Sequence, residues 1–204
     1  MDMTPKVIFL VGSAGSGKST VGKMIASNFK YCYLDKDVIC NKFTGKLLQT
    51  QQISPNERDG CDFYQNEIMS IEYETILDIA ADNIENGMSV VIDAPFLSYF
   101  SDKEYIQKLK EKYNWEDSIP LVLEVTVDSE VLRQRIKERN IRRDDSKLAN
   151  WDAFIDSLKF NKCLWEHVEI KQFDNSDENL DVNKLVNTIK SFIDTTNVKL
   201  TLEL

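Results

Sequence analysis

Lys6-Val-Ile-Phe-Leu-Val-Gly-Ser-Ala-Gly-Ser-Gly-Lys-Ser-Thr20 is the stretch on which the fold turns. From Val7 to Val11 the side chains are apolar without a break and the run ends at Gly12, as expected of a strand buried on both faces. Gly12 to Ser19 matches GxxxxGK[ST] in full, and helix-forming sequence follows from Lys18 to Phe29. A strand, this loop and a helix, in that order, make a phosphate-binding loop. The glycines let the backbone curl so that several N–H groups converge on phosphate oxygens. The start of the helix adds a favourable dipole. Gly12, Ser13, Ala14, Gly15, Ser16, Gly17, Lys18, Ser19 and Thr20 are therefore candidate contacts to a nucleoside triphosphate. Lys18 supplies a mobile cation for the β- and γ-phosphates, and the Ser19 hydroxyl is a Mg²⁺ ligand. Guanine readers carry Asn-Lys-x-Asp; Asn41-Lys-Phe-Thr44 and Asn161-Lys-Cys-Leu164 both lack the Asp, which favours ATP. No Leu-Ser-Gly-Gly-Gln stretch is present, which argues against a transport ATPase.

Outward from this loop, short β-like runs alternate with helical spacing. Further strands are expected at Tyr31 to Leu34, Ser89 to Asp93, Leu121 to Val127 and Val168 to Phe173. Helices are expected over 62–86, with Gly87 as the stop, and over 102–113, 151–166 and 180–193. Asp128 is placed to cap the helix after the fourth strand. This alternation predicts an α/β three-layer sandwich with a five-stranded parallel sheet flanked by helices. One domain over 1–204 is expected, with a loop-like, substrate-side insertion over about 41–62 and a lid over about 135–150. The tail 197–204 alternates apolar and polar residues, which leaves open an edge strand, a partner contact or a frayed end.

Acidic residues mark the strand ends, where open α/β sheets bind ligands. Leu34-Asp35-Lys36-Asp37 closes the second strand, and with an extended backbone Asp35 and Asp37 face the same side. One can hold Mg²⁺ through water while the other accepts a proton from an attacking hydroxyl. Asp93 follows a buried run, where a carboxylate is costly unless bound, and is a third metal candidate beside Ser19 and Asp35. Arg133, Arg135, Lys137, Arg139, Arg142, Arg143 and Lys147 fall within fifteen residues. Arg135 and Arg139 lie one turn apart. Such a lid can stabilise charge on a transferring phosphoryl group and exclude water. Phe43, Phe63, Tyr64, Phe96 and Tyr99 are either core aromatics or walls of an apolar pocket.

Composition sets bounds. Apolar residues at 42% supply a core, charged residues at 29% a solvated surface, and no run is long enough to span a membrane. No secretory leader is read before the first strand, and Cys32, Cys40, Cys61 and Cys163 lack paired close spacing. A cytoplasmic protein with reduced thiols is the expectation. The single histidine, His167, leaves little room for histidine-based catalysis. A net charge of −9 argues against broad nucleic-acid binding without excluding a local basic channel.

The loop, Asp35-Lys36-Asp37, Ile92-Asp93-Ala94-Pro95-Phe96 and Arg135-Ile-Lys-Glu-Arg139-Asn-Ile-Arg142-Arg143-Asp144 together resemble the small P-loop kinases. These include zeta-toxin-like kinases, gluconate and shikimate kinases, chloramphenicol phosphotransferase and the kinase domain of phage polynucleotide kinase. The stretch 143–152 is similar to a segment of the bacterial branch. The resemblance implies a five-stranded parallel sheet with a lid, Asp37 as base or substrate anchor, and Asp35 reaching Mg²⁺ through water. It implies Arg139 as the lid arginine, with Arg135 and Arg143 as further nucleotide contacts. The chain departs from the shikimate pattern in having Ala94-Pro95-Phe96 where a glycine triplet stands, and no appended phosphatase domain is expected. The expected activity is transfer of a γ-phosphoryl group from ATP, with Mg²⁺, to a hydroxyl of a small molecule. A nucleotide or nucleic-acid 5′-hydroxyl kinase, or an ATP-binding regulatory module, is the alternative. Adenine is expected near 174–176, and the acceptor and oligomeric state are left open.

Overall fold

The structure is a computed structural model that describes residues 4–202; the side chains of Asp59, Arg143, Phe160 and 195–202 lie outside that description. Five parallel strands form one sheet: β1 Lys6–Val11, β2 Cys32–Asp35, β3 Val90–Asp93, β4 Ile119–Thr126 and β5 Glu169–Asp174, in the order β2-β3-β1-β4-β5. Every side chain of β1 and β3 is buried, which is why these strands read as unbroken apolar runs rather than alternating ones.

Helices cover both faces. α1 (Lys18–Phe29) and α8 (Val182–Leu202) pack Val21, Ile25, Leu185, Ile189 and Phe192 against Ile8, Leu10 and Leu123. On the other face α3 (Met69–Glu85) and α4 (Tyr105–Tyr113) pack on Phe9, Val90 and Ile92. Phe96, Trp165, Tyr73 and Tyr105 extend that core as an aromatic cluster with ring centroids 4.8–6.2 Å apart. Phe96 lies at φ +54, an uncommon conformation for an aromatic residue, with its ring fully buried and its N–H donated to the Tyr73 hydroxyl. That anchor fixes the turn after β3, and with it Ala94 and Pro95, beside the end of β1.

The segment after β2 differs from expectation. Instead of a loop over 41–60, α2 spans Lys36–Thr50 and a 3₁₀ helix spans Pro55–Gly60. The helical period was hidden because Val38 and Phe43 lie exposed on the outer side while polar Lys36 and Thr44 are buried. The backbone therefore does not stay extended through Asp35 and Asp37. Asp35 is the N-cap of α2 and accepts from the N–H groups of Asp37 and Val38 at 3.0 and 3.1 Å, while Asp37 lies within the first turn.

Elsewhere the boundaries shift. The helix over 62–86 resolves into a π-helical turn, Tyr64–Ile68, leading into α3, and Gly87 follows it at φ +75. After β4 come α5 (Ser129–Arg139), capped by Asp128, a 3₁₀ turn at Arg142–Asp144, α6 (Asp145–Ala149) and α7 (Trp151–Phe160), which stops short of 166. α8 continues to Leu202, so the tail as far as 202 is helix and not an edge strand; 203–204 lie outside the described residues.

Candidate active site

The phosphate loop runs from the end of β1 into α1. Gly12, Gly15 and Gly17 lie at φ +142, +90 and +89. A Cβ on Gly12 would stand 2.5 Å from the Val125 carbonyl, and one on Gly15 would stand 2.8 Å from Ile136. Both conformation and space therefore demand glycine. No side chain caps α1 and no acid lies in its first turn, so its leading N–H groups are open to an anion. Ser16 is fully buried beneath the loop, and its hydroxyl has no hydrogen-bond partner among the described residues. These features fit a bound polyphosphate.

Lys18 curls back over this cradle, donating to the Gly12 and Ser13 carbonyls at 2.9 Å each. Burial lowers its pKa; Asp93 opposes that shift and Arg139 adds to it. A half-buried ammonium whose hydrogen bonds go to neutral carbonyls gains from an incoming phosphate.

Parallel register sets Asp35 opposite Asp93 at the carboxyl ends of β2 and β3. The Tyr33 hydroxyl lies 2.7 Å from Asp93 and 3.1 Å from Asp35, so it links the two. Burial pushes the Asp93 carboxyl up, against hydrogen bonding from Tyr33 and Ser19 and the charge of Lys18. Ser19 with two carboxylates is a sparse oxygen set. It fits Mg²⁺, which keeps waters and shares its shell with substrate phosphates, better than a cation needing a full protein cage. Among the described residues no group of three or more His, Cys, Asp or Glu side chains gathers as such a cage.

Asp37 faces the same cleft, half-exposed, with the Arg58 guanidinium at 3.1 Å and the Lys36 ammonium at 3.6 Å. Sequence reasoning missed Arg58. It lies in the polar 3₁₀ turn, where no periodicity signals burial, yet it is nearly buried and also donates to Asn41. Lys36 is held from beneath by Glu72 of α3, which further accepts from Thr44 and Tyr64. A glutamate with helical spacing among apolar neighbours reads as a surface residue, so this hub was also missed. The π-helical turn brings Tyr64 into it.

The lid arginines divide. Arg139 pairs with the buried Asp144, which also takes Lys147 at 2.8 Å. Arg135 donates to the Asp177 carbonyl at 3.0 Å. Arg133 turns away onto the Trp151 ring. The expectation for Arg143 falls outside the described side chains. Asn175 is occupied differently from the expected adenine contact: its amide donates to the Ser16 carbonyl at 2.9 Å and braces the phosphate loop.

One cleft of about 570 Å³ brings together Gly12, Ser13, Ala14, Gly15, Gly17, Lys18, Ser19, Thr20, Asp35, Asp37, Asp93, Arg135 and Arg139. Of the aromatics, Tyr64 lines it. Phe43 is exposed on the outer face, Phe63 packs near Leu48, Phe96 is core, and Tyr99 stacks on Tyr105.

Comparison with known proteins agrees with this architecture. A shikimate kinase of Rippkaea orientalis is 24% identical over 137 residues, 66% of this chain and 65% of the relative. The chain spans only 22–25% of the length of the first curated relatives it matches, also shikimate kinases. Among solved structures, a Chloroflexus aurantiacus protein carrying a provisional kinase name superposes with a TM-score of 0.62 at 18% identity, over 96% of this chain and 99% of that one. A gluconokinase from Sinorhizobium meliloti superposes with a TM-score of 0.57 at 16% identity, over 100% and 99%. At such identities the likeness establishes the fold. A family model described as an AAA domain (AAA_33) matches residues 7–160, and the chain belongs to this family of P-loop kinase domains.

Proposed function

We propose that this chain is a phosphotransferase that passes the γ-phosphoryl group of ATP to a hydroxyl of a small-molecule acceptor. The observation that carries the reading is Asp37. A half-exposed carboxylate, fixed by Arg58 and Lys36, shares one cleft with Lys18 and the phosphate loop. A carboxylate so placed can take the proton of an acceptor hydroxyl, whereas in a hydrolase it would act on water, and the acceptor dependence of ADP release separates the two.

In this reading the loop N–H groups and Lys18 hold the phosphates, and Ser19, Asp93 and Asp35 would hold Mg²⁺. The ion would neutralise phosphate charge. Asp37 accepts the proton of the acceptor hydroxyl as its oxygen bonds to the γ-phosphorus; the β,γ-bridging bond breaks and ADP leaves. Lys18 follows the developing charge, and Arg139, once exchanged from Asp144 onto phosphate, adds to it. The four free thiols fit a reducing compartment. No described helix is long and apolar enough to cross a membrane.

The test is ADP release in the presence of Mg²⁺ across a panel of alcohols, sugars, nucleosides and 5′-hydroxyl oligonucleotides, with Lys18→Ala as the blank. Acceptor-dependent release that Lys18→Ala abolishes is the expected result. Slow hydrolysis indifferent to every acceptor would instead identify a nucleotide-operated switch.

A further inference from the structure

The cleft has two chemically different ends. The phosphate end carries Lys18, Arg135 and Arg139. Away from the phosphate loop the cleft is lined by Tyr64, Gln65, Met69, Tyr73, Pro95, Leu97 and Ser98, with Phe154 from the lid. The polar groups of this wall are engaged within the protein: Tyr64 donates to Glu72 at 2.7 Å, Tyr73 accepts from the Phe96 N–H at 3.1 Å, the Ser98 hydroxyl points to the Met69 sulfur at 3.9 Å, and Gln65 has a partner of its own.

Two described cations lie within 4 Å of Asp37, and both are committed, as is Lys147 of the lid, which pairs with Asp144 at 2.8 Å. Lys36 is buried on Glu72 at 2.5 Å. Arg58 is nearly buried, with one Nη on Asp37 and the other on Asn41. Each cation thus has its own carboxylate. An acceptor that brought a further negative charge here would have two options. It could take Arg58 from Asp37, unseating the base. It could otherwise be desolvated beside Asp37 without a partner, which is strongly unfavourable. An apolar face on the acceptor is instead favourable, because it covers Met69, Leu97 and Phe154.

Resting on the kinase reading above, we infer that the acceptor is an uncharged alcohol with an apolar or aromatic face, and not a hydroxy acid. Shikimate and gluconate, the compounds in the names of the relatives, are hydroxy acids and fall in the disfavoured class. The specificity comes from Arg58: Asp37 and Asn41 occupy the guanidinium that would otherwise recognise a carboxylate.

The experiment uses matched acceptors with the full chain, Mg²⁺ and radiolabelled ATP. The pairs are shikimate and its methyl ester, gluconate and glucitol, and 3-(hydroxymethyl)benzoate and 1,3-benzenedimethanol, with nucleosides added as uncharged aromatic alcohols. Phosphorylated product is measured with Lys18→Ala as the blank. The uncharged member of a pair is expected to exceed the acid in kcat/KM by about 30-fold or more, the factor equivalent to about 2 kcal/mol. In Asn41→Leu, which frees one edge of Arg58, that preference should shrink several-fold. Equal use within pairs, or preference for the acid, overturns the inference and leaves the kinase reading intact. ATP hydrolysis with no acceptor phosphorylated anywhere in the panel overturns the kinase reading, and the inference falls with it.

Discussion

Gly17 shows how closely single residues constrain this site. It lies at φ +89, and a Cβ there would meet the Asn175 amide nitrogen at 2.4 Å. That amide is the one bracing the Ser16 carbonyl. Gly17→Ala should therefore strain the loop and dislodge its brace together, weakening Mg·ATP binding by about 10-fold or more, equivalent to about 1.4 kcal/mol. Gly87→Ala is the control. It has a similar φ of +75 but open space around its Cβ. It should cost about 1–2 kcal/mol of stability from left-handed strain and leave nucleotide affinity unchanged. Calorimetric titration and chemical denaturation of both variants check this; equal nucleotide affinity in the two would show that the Asn175 brace is dispensable. Asp37 is tested by kinetics. Asp37→Asn keeps the shape but cannot take a proton, so kcat should fall by about 10²–10⁴-fold while KM for ATP stays nearly constant. Unchanged turnover would remove Asp37 from the mechanism.

At the scale of elements, Glu72 ties three segments together: α2 through Lys36 and Thr44, the π-helical turn through Tyr64, and its own helix α3. Burial alone would push its carboxyl up, but hydrogen bonding and charge from Lys36, with Thr44 and Tyr64, more than offset this and hold it below the ordinary value of 4.5. A carboxylate depressed in the folded state stabilises above its unfolded pKa, and that stability is lost as pH falls through the folded value. Glu72→Gln leaves buried Lys36 with only the more distant and more exposed Asp37 carboxylate, at 3.6 Å, and should cost up to about 3–5 kcal/mol at pH 7. The difference from the parent protein should be flat at neutral pH and close as pH drops below about 4.5. Urea unfolding across that range reads it directly, and a pH-independent difference would show that packing, not charge, is what Glu72 supplies. The same elements explain what the sequence could and could not reveal. The strands were legible because Val7 to Val11 and Val90 to Ile92 are buried on both faces, and the phosphate loop because only glycines meet its geometry. Asp35 and Asp93 were legible from their places at strand ends. Helix α2 was not, because its exposed Phe43 and Val38 and buried Lys36 and Thr44 invert the usual pattern. Arg58 and Glu72 were hidden for a related reason: each is defined by partners far along the chain, and no local period records them.

Across the whole molecule, the cleft is bounded by two segments that follow β2 and β4, on opposite sides of the central strand β1, and meet. The 3₁₀ turn that carries Arg58 contacts the 3₁₀ turn at Arg142–Asp144. Asp144, nearly fully buried, is the pin of that junction, because it holds Arg139 from α5 and Lys147 from α6. An incoming polyphosphate competes with Asp144 for Arg139, so ATP binding and lid position are linked through one guanidinium. Asp144→Asn keeps the side-chain shape while removing the charge that seats the lid. Arg139 is then free to meet phosphate before an acceptor arrives, and the lid no longer closes in register with the Arg58 turn. Water should gain access to the γ-phosphate. The expected outcome is uncoupling: with an acceptor identified by the panel, phosphorylated product per ADP falls well below one, while acceptor-independent ADP release rises. Measuring both products in the same reaction separates this from simple loss of fold, which would lower them in parallel. A one-to-one ratio retained in Asp144→Asn would mean that the pin stabilises the lid without governing where the phosphate goes.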